Sequence, residues 1–246
     1  MKAELTPGEV VLVGGGPGDP DLLTVAGLRA IQQADVIVHD RLGPLAALAE
    51  APDAELINVG KIPRGAFTPQ EEINRLLIDR ARSNLRVVRL KGGDPYVFGR
   101  GGEEWLACVE AGVPVRVIPG VTSAVSVPAL GGIPVTHRTV SQGFTVVSGH
   151  VGPDDGRSTV NWEALAKAHT TLVLMMAVQN LPVIADRLQK AGMSPETPAA
   201  VVCEGSTERQ KTLFTTLADV AAVAASEQVS PPATVVIGEV AGLRLC

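Results

Sequence analysis

The first half of the chain alternates short runs rich in valine and isoleucine with segments long enough to form helices. Because these runs are largely apolar and do not alternate with polar residues, they predict strands that are buried on both faces, as in a parallel sheet covered by helices. The sequence therefore predicts an α/β fold for this half. The predicted strands are Val10–Gly14, Asp35–His39, Glu55–Gly60, Arg86–Leu90 and Pro114–Ile118.

Helix-start signals separate these runs. Asp19 and Pro20 offer an N-cap and a first-turn proline ahead of an amphipathic stretch. Thr68 and Glu71 form the pattern of a capping box, with Pro69 at the first helical position. We therefore predict helices that begin close to both sites.

The pattern changes at Pro119, where a run of small residues predicts a helix and a crossing into a second lobe. We predict two α/β domains, residues 1–119 and 120–246, the second with a mixed sheet. Its predicted strands are Thr145–Ser148, Thr171–Met175, Ala199–Val202, Thr234–Ile237 and, with a weaker pattern, Thr212–Phe214. Its predicted helices lie near Asn161–Ala168, Leu181–Ala191 and Leu217–Ala225.

Composition limits the function classes. The formal net charge of −5 argues against broad nucleic-acid binding. No long uninterrupted apolar run and no cationic-then-apolar leader are present, which predicts a cytoplasmic protein outside the membrane. The three cysteines are widely spaced, and His137 and His150 have no ligand cluster beside them, so we expect neither a disulfide framework nor a metal site.

Polar residues follow the predicted strands of the first half. Asp40 and Arg41 follow the second strand, Lys61 the third and Asp94 the fourth, with Arg100 further along the same connection. The carboxyl ends of parallel strands share one edge of the sheet, where open α/β proteins hold their ligands. These side chains are therefore expected to line one cleft.

Two glycine-rich segments lie at this edge. Gly14–Asp19 lacks the third glycine of a dinucleotide-binding loop, and its Pro17 removes an amide that a pyrophosphate would need. Arg89–Glu104 holds five glycines in sixteen residues, together with three cations and three acids. Glycine loses more backbone entropy on folding than any other residue, so this many glycines indicate a backbone geometry that has to be satisfied. We therefore predict a ligand-binding loop between a strand and a helix.

The chain resembles the tetrapyrrole methylase family from about Val10 to Arg244, and the Arg89–Glu104 segment is the most specific part of the resemblance. Its extension from Val97 to Glu104 is closest to members that act on uroporphyrinogen III. The matching motifs are Val13–Thr24, Asp40–Leu42, Val59–Lys61, Arg89–Glu104, Pro119–Ala124, Gly132–Arg138 and Gly149-His150.

The resemblance implies a two-lobed fold that binds S-adenosylmethionine between the lobes without a metal, usually as a homodimer. Glycines would allow close approach to this methyl donor, and Met176, otherwise a core candidate, would offer a polarizable surface. The cofactor contacts implied by the family are Pro17, Gly92, Gly93, Asp94, Val97, Thr122, Ser123, Met176 and Gly205.

The resemblance also implies two methyl transfers to uroporphyrinogen III, giving precorrin-2 by way of precorrin-1. Asp40 would accept a proton and Lys61 would donate one, although either could instead form a structural pair or bind a substrate carboxylate. Arg41, Arg100 and Arg138 would bind the eight substrate carboxylates. Glu103 would bind pyrrole N–H groups, unless it is simply an acid in the first turn of a helix.

Three alternatives remain open. The chain could methylate a later intermediate of the corrin ring, or it could be a more distant relative that methylates a protein or ribosomal RNA. It could also be a non-catalytic module that binds S-adenosylmethionine or a tetrapyrrole as an effector.

Overall fold

A computed structural model describes residues 4–60 and 68–245. The chain divides into two units, one ending at Ser123 and the other beginning at Ala124. The sequence pattern had placed this boundary after residue 119. Each unit contains its own sheet and its own apolar core.

The first unit is built on a five-stranded sheet in which every pairing is parallel. The strand order is β3-β2-β4-β1-β5, so β4 lies between β2 and β1. All five strands predicted from the sequence are present, with ends shifted by at most two residues. The strands are β1 (Val10–Gly14), β2 (Val36–His39), β3 (Glu55–Asn58), β4 (Val87–Lys91) and β5 (Val115–Ile118).

The described residues of this unit form the α-helices α1 (Val25–Gln33), α2 (Gln70–Arg82) and α3 (Gly101–Glu110). With α1 and part of the connection after β2 on one face and α2 and α3 on the other, apolar side chains cover both faces of the sheet. Burial on both faces explains why β1 is apolar throughout, whereas the edge strand β3 is mostly exposed and carries polar residues.

The predicted helix starts were wrong in detail. Asp19 does cap a helical segment, but this segment is a single 3-10 turn, Pro20–Leu22, and α1 begins later with Thr24 as its N-cap. The capping box predicted at Thr68 does not form, because α2 begins after Pro69 without a side-chain cap. The predicted helix is present, but its first residue is Gln70 and Pro69 is its N-cap.

The second unit holds a mixed sheet with the order β6-β7-β10-β8-β9. Only β6 and β7 are parallel, and the other pairs are antiparallel. The strands are β6 (Phe144–Ser148), β7 (Thr171–Met175), β8 (Pro198–Cys203), β9 (Lys211–Thr216) and β10 (Ala233–Ile237). The helices are α4 (Ser123–Leu130), α5 (Trp162–Lys167), α6 (Leu181–Lys190) and α7 (Val220–Ser226).

The α/β fold class with one parallel and one mixed sheet is thus confirmed. The small-residue run after Pro119 forms α4, as the sequence predicts. None of the helices in the described part of the chain is long and apolar enough to cross a membrane.

Candidate active site

The glycine-rich segment is shorter as a loop than the sequence indicated. β4 continues through Lys91 and α3 begins at Gly101, so Arg89 and Lys91 belong to a strand and Glu104 belongs to a helix. The connection itself runs from residue 92 to residue 100. Its functional residues are therefore held by regular structure at both ends.

Backbone contacts bring three strand-end loops of the first unit together. Gly16 and Gly93 exchange two hydrogen bonds, of 3.1 and 2.7 Å, which join the loops after β1 and β4. A Cβ atom added to Gly92 would lie 2.7 Å from the carbonyl oxygen of Leu42, in the loop after β2. The carboxyl edge of the sheet is therefore a closely packed surface of main chain.

The tightest point of this edge is a glycine junction formed by Gly14, Gly93 and Gly120. A Cβ atom on Gly120 would lie 2.2 Å from the carbonyl oxygen of Gly93 and 2.6 Å from Cα of Gly14. A Cβ atom on Gly14 would lie 2.4 Å from the backbone nitrogen of Gly120. Real side chains do not approach backbone so closely, so these loops can meet only through glycine.

Asp94 ties the same loops together through its carboxylate. Oδ2 accepts a hydrogen bond from the backbone N–H of Gly120 at 3.0 Å, and Oδ1 accepts one from the N–H of Tyr96 at 2.9 Å. An ionised carboxylate has about four acceptor sites, so two remain for a ligand. Asp94 can therefore brace the edge and still bind a donor group.

Seven of the predicted cofactor contacts lie at this edge, six of them on the strand-end loops and Ser123 at the first residue of α4. Gly93 has a φ of 65°, and a Cβ atom there would meet only Ser123, at 3.4 Å or more. Phe98 and Arg100 also have positive φ values, of 54° and 59°, a strained conformation that is frequent at functional sites. The seven are Pro17, Gly92, Gly93, Asp94, Val97, Thr122 and Ser123.

Asp40, the predicted proton acceptor, follows β2 and is held from two sides. Its Oδ1 accepts a hydrogen bond from the backbone N–H of Leu42 at 3.0 Å, and its Oδ2 lies 3.4 Å from Nη2 of Arg89. The side chain is 27% exposed. Among the described residues, Asp40 thus forms an ion pair with Arg89.

Behind Asp40 lies a buried charge network consisting of Asp40, Arg89, Lys91 and Glu104. Nε of Arg89 donates to Oε1 of Glu104 at 3.0 Å, and Nζ of Lys91 lies 3.0 Å from both oxygens of the same carboxylate. Gln70 donates to Oε1 at 3.2 Å, whereas no described residue donates a well-aligned hydrogen bond to Oε2. Two cations and two acids balance each other beneath the surface.

Lys91 has a perturbed pKa, and burial is the main cause. Burial lowers the pKa of Lys91, the neighbouring Arg89 lowers it further, and the contacts with Glu104 and Asp40 oppose both effects. Sequence reasoning did not single out Arg89, Lys91 or Glu104 as site residues. The available signal was a pair of cations at alternate positions of an apolar strand, which places both on one face of a buried sheet.

Two predicted substrate-binding residues are paired with each other. Arg100 donates to Glu103 through Nε at 2.9 Å and through Nη2 at 2.7 Å, and both side chains are about half exposed. The bidentate hydrogen bonds raise the pKa of the Arg100 guanidinium and lower the pKa of the Glu103 carboxyl. A substrate carboxylate at Arg100 would have to compete with Glu103.

Arg41 is exposed and forms no ion pair with any described residue.

The remaining predicted site residues are in other parts of the chain. Lys61 lies outside the described residues. In the second unit, Met176 follows β7 with a φ of 55° and a side chain that is 47% exposed, so it is not a core residue. Gly205 follows β8, where a Cβ atom would lie 2.6 Å from Val127, and Arg138 is exposed.

Among residues 4–60 and 68–245, no cluster of histidine, cysteine and acidic side chains could hold a metal ion.

Comparison with known proteins identifies the family. Residues 9–221 match the family model described as Tetrapyrrole (Corrin/Porphyrin) Methylases. A siroheme synthase of Pseudomonas putida (strain W619) is 48% identical over 96% of this chain and 51% of its own length. A uroporphyrinogen-III C-methyltransferase of Methanocaldococcus jannaschii is 48% identical over 95% of this chain and 96% of its own length. The chain thus spans about half the length of the siroheme synthases that it matches.

Solved structures agree in fold and in sequence. The native uroporphyrin III C-methyl transferase of Thermus thermophilus superimposes with a TM-score of 0.81 at 42% identity, over 96% of this chain and 99% of the other. The Thermus thermophilus enzyme complexed with S-adenyl homocysteine gives 0.81 at 41% identity, over 96% and 94%. A cobalt precorrin-4 methyltransferase gives 0.84 at 28% identity, over 94% and 95%. Motifs, fold and near-complete coverage together show that this chain belongs to the tetrapyrrole (corrin/porphyrin) methylase family.

Proposed function

We propose that the chain is an S-adenosylmethionine-dependent C-methyltransferase that methylates uroporphyrinogen III at C2 and C7. The product is precorrin-2, formed by way of precorrin-1, and each transfer releases S-adenosylhomocysteine. The observation that carries this proposal is the 48% identity with the Methanocaldococcus enzyme over 95% of this chain and 96% of that one. Precorrin-2 would serve siroheme, cobalamin or haem d1 synthesis, and we propose a homodimer as the working form.

The residues at the sheet edge fit the methyl donor. Asp94 keeps acceptor sites for an ammonium group or for ribose hydroxyls. Ser123 lies beside Gly93, and both Thr122 and Ser123 are half-buried. S-adenosylmethionine supplies an activated methyl group on its sulfonium. The task of Gly92, Gly93 and Asp94 is therefore to hold it in line with the reacting ring carbon.

Asp40 supplies the acid–base step. A methylated ring must lose a proton, and a carboxylate that is partly exposed yet held by two hydrogen-bond donors can accept it. Lys61, as the proposed proton donor, stays a prediction from the family resemblance. The guanidinium groups of Arg41, Arg100 and Arg138 are the proposed partners of the substrate carboxylates, which a chain with a net charge of −5 must bind locally.

Product mass tests this proposal directly. We expect purified protein, incubated without oxygen with S-adenosylmethionine and uroporphyrinogen III, to add two methyl groups and to release two molecules of S-adenosylhomocysteine per product. The control omits the methyl donor. A product with one methyl group would contradict the two-step reaction, and no gain in mass would contradict the proposal as a whole.

The fold similarity to a cobalt precorrin-4 methyltransferase, at a TM-score of 0.84, keeps a later corrin methylation as a second candidate. Its identity of 28% is lower than the 42% shared with the Thermus enzyme. Incubation with cobalt precorrin-4 separates the two, since only the second candidate predicts methyl transfer to that compound.

The Arg100–Glu103 pair gives a further prediction. We expect Glu103→Gln to lower KM for uroporphyrinogen III by up to about fivefold, because an exposed ion pair of about 1 kcal/mol or less would no longer compete for Arg100. Arg100→Ala should raise KM by about tenfold through the loss of charged hydrogen bonds. Both constants follow from steady-state kinetics at saturating methyl donor.

The matched control for this test is Asp155→Asn, which breaks a comparable exposed pair with Arg157 and should leave KM unchanged. A higher KM for Glu103→Gln would instead support the role in which Glu103 binds pyrrole N–H groups. An unchanged KM for Arg100→Ala would exclude Arg100 as a carboxylate ligand.

A further inference from the structure

The buried charge network contains two cations on β4, the central strand of the first unit's sheet, whose other three residues are apolar. Arg89 is 4% exposed and Lys91 is 3% exposed, and both point to the face that packs against α2 and α3. Removing such charges from water costs several kcal/mol each, and apolar side chains of similar size would often be at least as stable. Stability alone therefore does not explain why β4 carries them.

The hydrogen bonds of Arg89 fix its guanidinium completely. Nε donates to Glu104, Nη1 donates to the carbonyl oxygens of Val38 and Leu90 at 3.3 and 3.0 Å, and Nη2 faces Asp40. The planar group can satisfy these partners in only one orientation. Only Nη2 points towards the carboxyl edge of the sheet, where Asp40 is the most exposed member of the network.

The same two strands carry a second ion pair at their opposite ends. Arg86 lies just before β4 and Asp35 just before β2, and their side chains pair at 3.0 and 2.6 Å. In a parallel sheet this amino edge lies away from the ligand-binding edge. The chain thus supplies a natural control, with the same residue types on the same strands but at the edge that does not bind ligands.

We infer that Arg89 is a positioning residue for methyl transfer, which holds the carboxylate of Asp40 in one orientation at the sheet edge and is itself fixed by Glu104. This inference rests on the proposed function, in which Asp40 accepts a proton from the methylated ring. Together with the N–H of Leu42, Arg89 leaves the outward lone pairs of Asp40 as the available acceptor sites. Glu104 completes the arrangement because its charge compensates Arg89 and Lys91.

A double-mutant cycle tests the inference. We expect Arg89→Met to lower kcat by about tenfold or more, with KM for uroporphyrinogen III and Kd for S-adenosylmethionine nearly unchanged, because a carboxylate displaced by about 1 Å loses its alignment. In an Asp40→Asn background, Arg89→Met should then cause no further loss of kcat. The control Arg86→Met should leave kcat unchanged in both backgrounds.

The structural role is tested separately. Circular dichroism and thermal unfolding establish that each variant is folded, and Glu104→Gln replaces Arg89→Met if the latter does not fold. This substitution keeps the shape of the side chain but removes the charge that fixes Arg89, so we expect the same loss of kcat and the same absence of a further loss with Asp40→Asn.

The outcomes separate this inference from the function on which it rests. No methyl transfer by the unmodified protein would contradict the proposed function. If the unmodified protein transfers methyl groups and the decreases in kcat of Arg89→Met and Asp40→Asn multiply in the double variant, Arg89 acts independently of Asp40. This result would overturn the inference but not the proposed function. An unchanged kcat for Arg89→Met would overturn it as well.

Discussion

Replacing Asp40 with asparagine should lower kcat for methyl transfer by about 10²- to 10³-fold, the contribution typical of a positioned general base. The amide has nearly the shape of the carboxylate and can still accept a hydrogen bond from the N–H of Leu42. What it loses is the capacity to take up a proton. We expect Kd for S-adenosylmethionine, measured by calorimetry, to stay within a factor of about two of its original value, because the described hydrogen bonds of the Asp40 carboxylate go to Leu42 and Arg89 and not to the glycine junction.

Asp35→Asn is the matched control for this prediction. It alters the same residue type beside the same strand, and it weakens an ion pair with Arg86 that is more exposed than the pair of Asp40 and Arg89. Its kcat should be unchanged when both variants are compared at equal folded fraction. If Asp40→Asn raised KM for uroporphyrinogen III without lowering kcat, Asp40 would be a binding residue rather than a base.

The outline of the first unit could be predicted because burial determines its sequence. Runs such as Val10–Gly14 are apolar at every position, and only a strand covered on both faces requires this pattern. The edge on which Asp40 and Asp94 lie then followed from parallel topology alone. The predictions failed at the helix starts, because the choice between Asp19 and Thr24 as the cap of α1 depends on a local 3-10 turn that the pattern does not encode.

The partners of charged side chains were harder to predict. The sequence placed Arg89 and Glu104 in one loop, whereas the structure places them on a strand and a facing helix, where they meet at 3.0 Å. Such a contact depends on how α3 packs on the sheet. The pairing of Arg100 with Glu103 could have been predicted from the sequence, because residues three apart at the start of a helix lie on the same face.

The glycines of the edge were predicted correctly as a geometric requirement, but the expected reason was incomplete. The family resemblance explained them by close approach to a methyl donor. In the structure, a Cβ atom at Gly92 would clash with Leu42, and one at Gly120 would clash with Gly93 and Gly14. Glycine is therefore required at both positions even without a ligand. These glycines first allow the loops to meet, and the surface that results is the one on which a ligand can lie.

Gly120→Ala should therefore have a large effect on both stability and binding. The added Cβ atom would lie 2.2 Å from the carbonyl oxygen of Gly93 and 2.6 Å from Cα of Gly14. Both are main-chain atoms, which cannot rotate away as a flexible side chain could. We expect the free energy of unfolding to fall by about 2–3 kcal/mol, as for other overpacked sites, which corresponds to a decrease in Tm of about 5–10 °C. Thermal unfolding followed by circular dichroism measures this change.

The same substitution tests whether the junction forms the binding surface. Relief of the clash must move Gly93 away from Gly120, and this movement would break the hydrogen bond between the Gly120 N–H and Asp94. We expect Kd for S-adenosylmethionine to rise by at least about tenfold at temperatures where the protein is folded, which corresponds to one charged hydrogen bond. The control for stability is Gly102→Ala, because a Cβ atom there meets nothing within 4 Å and alanine favours a helix. An unchanged Tm for Gly120→Ala would contradict the tight junction, whereas a lower Tm with unchanged affinity would separate the junction from the methyl-donor site.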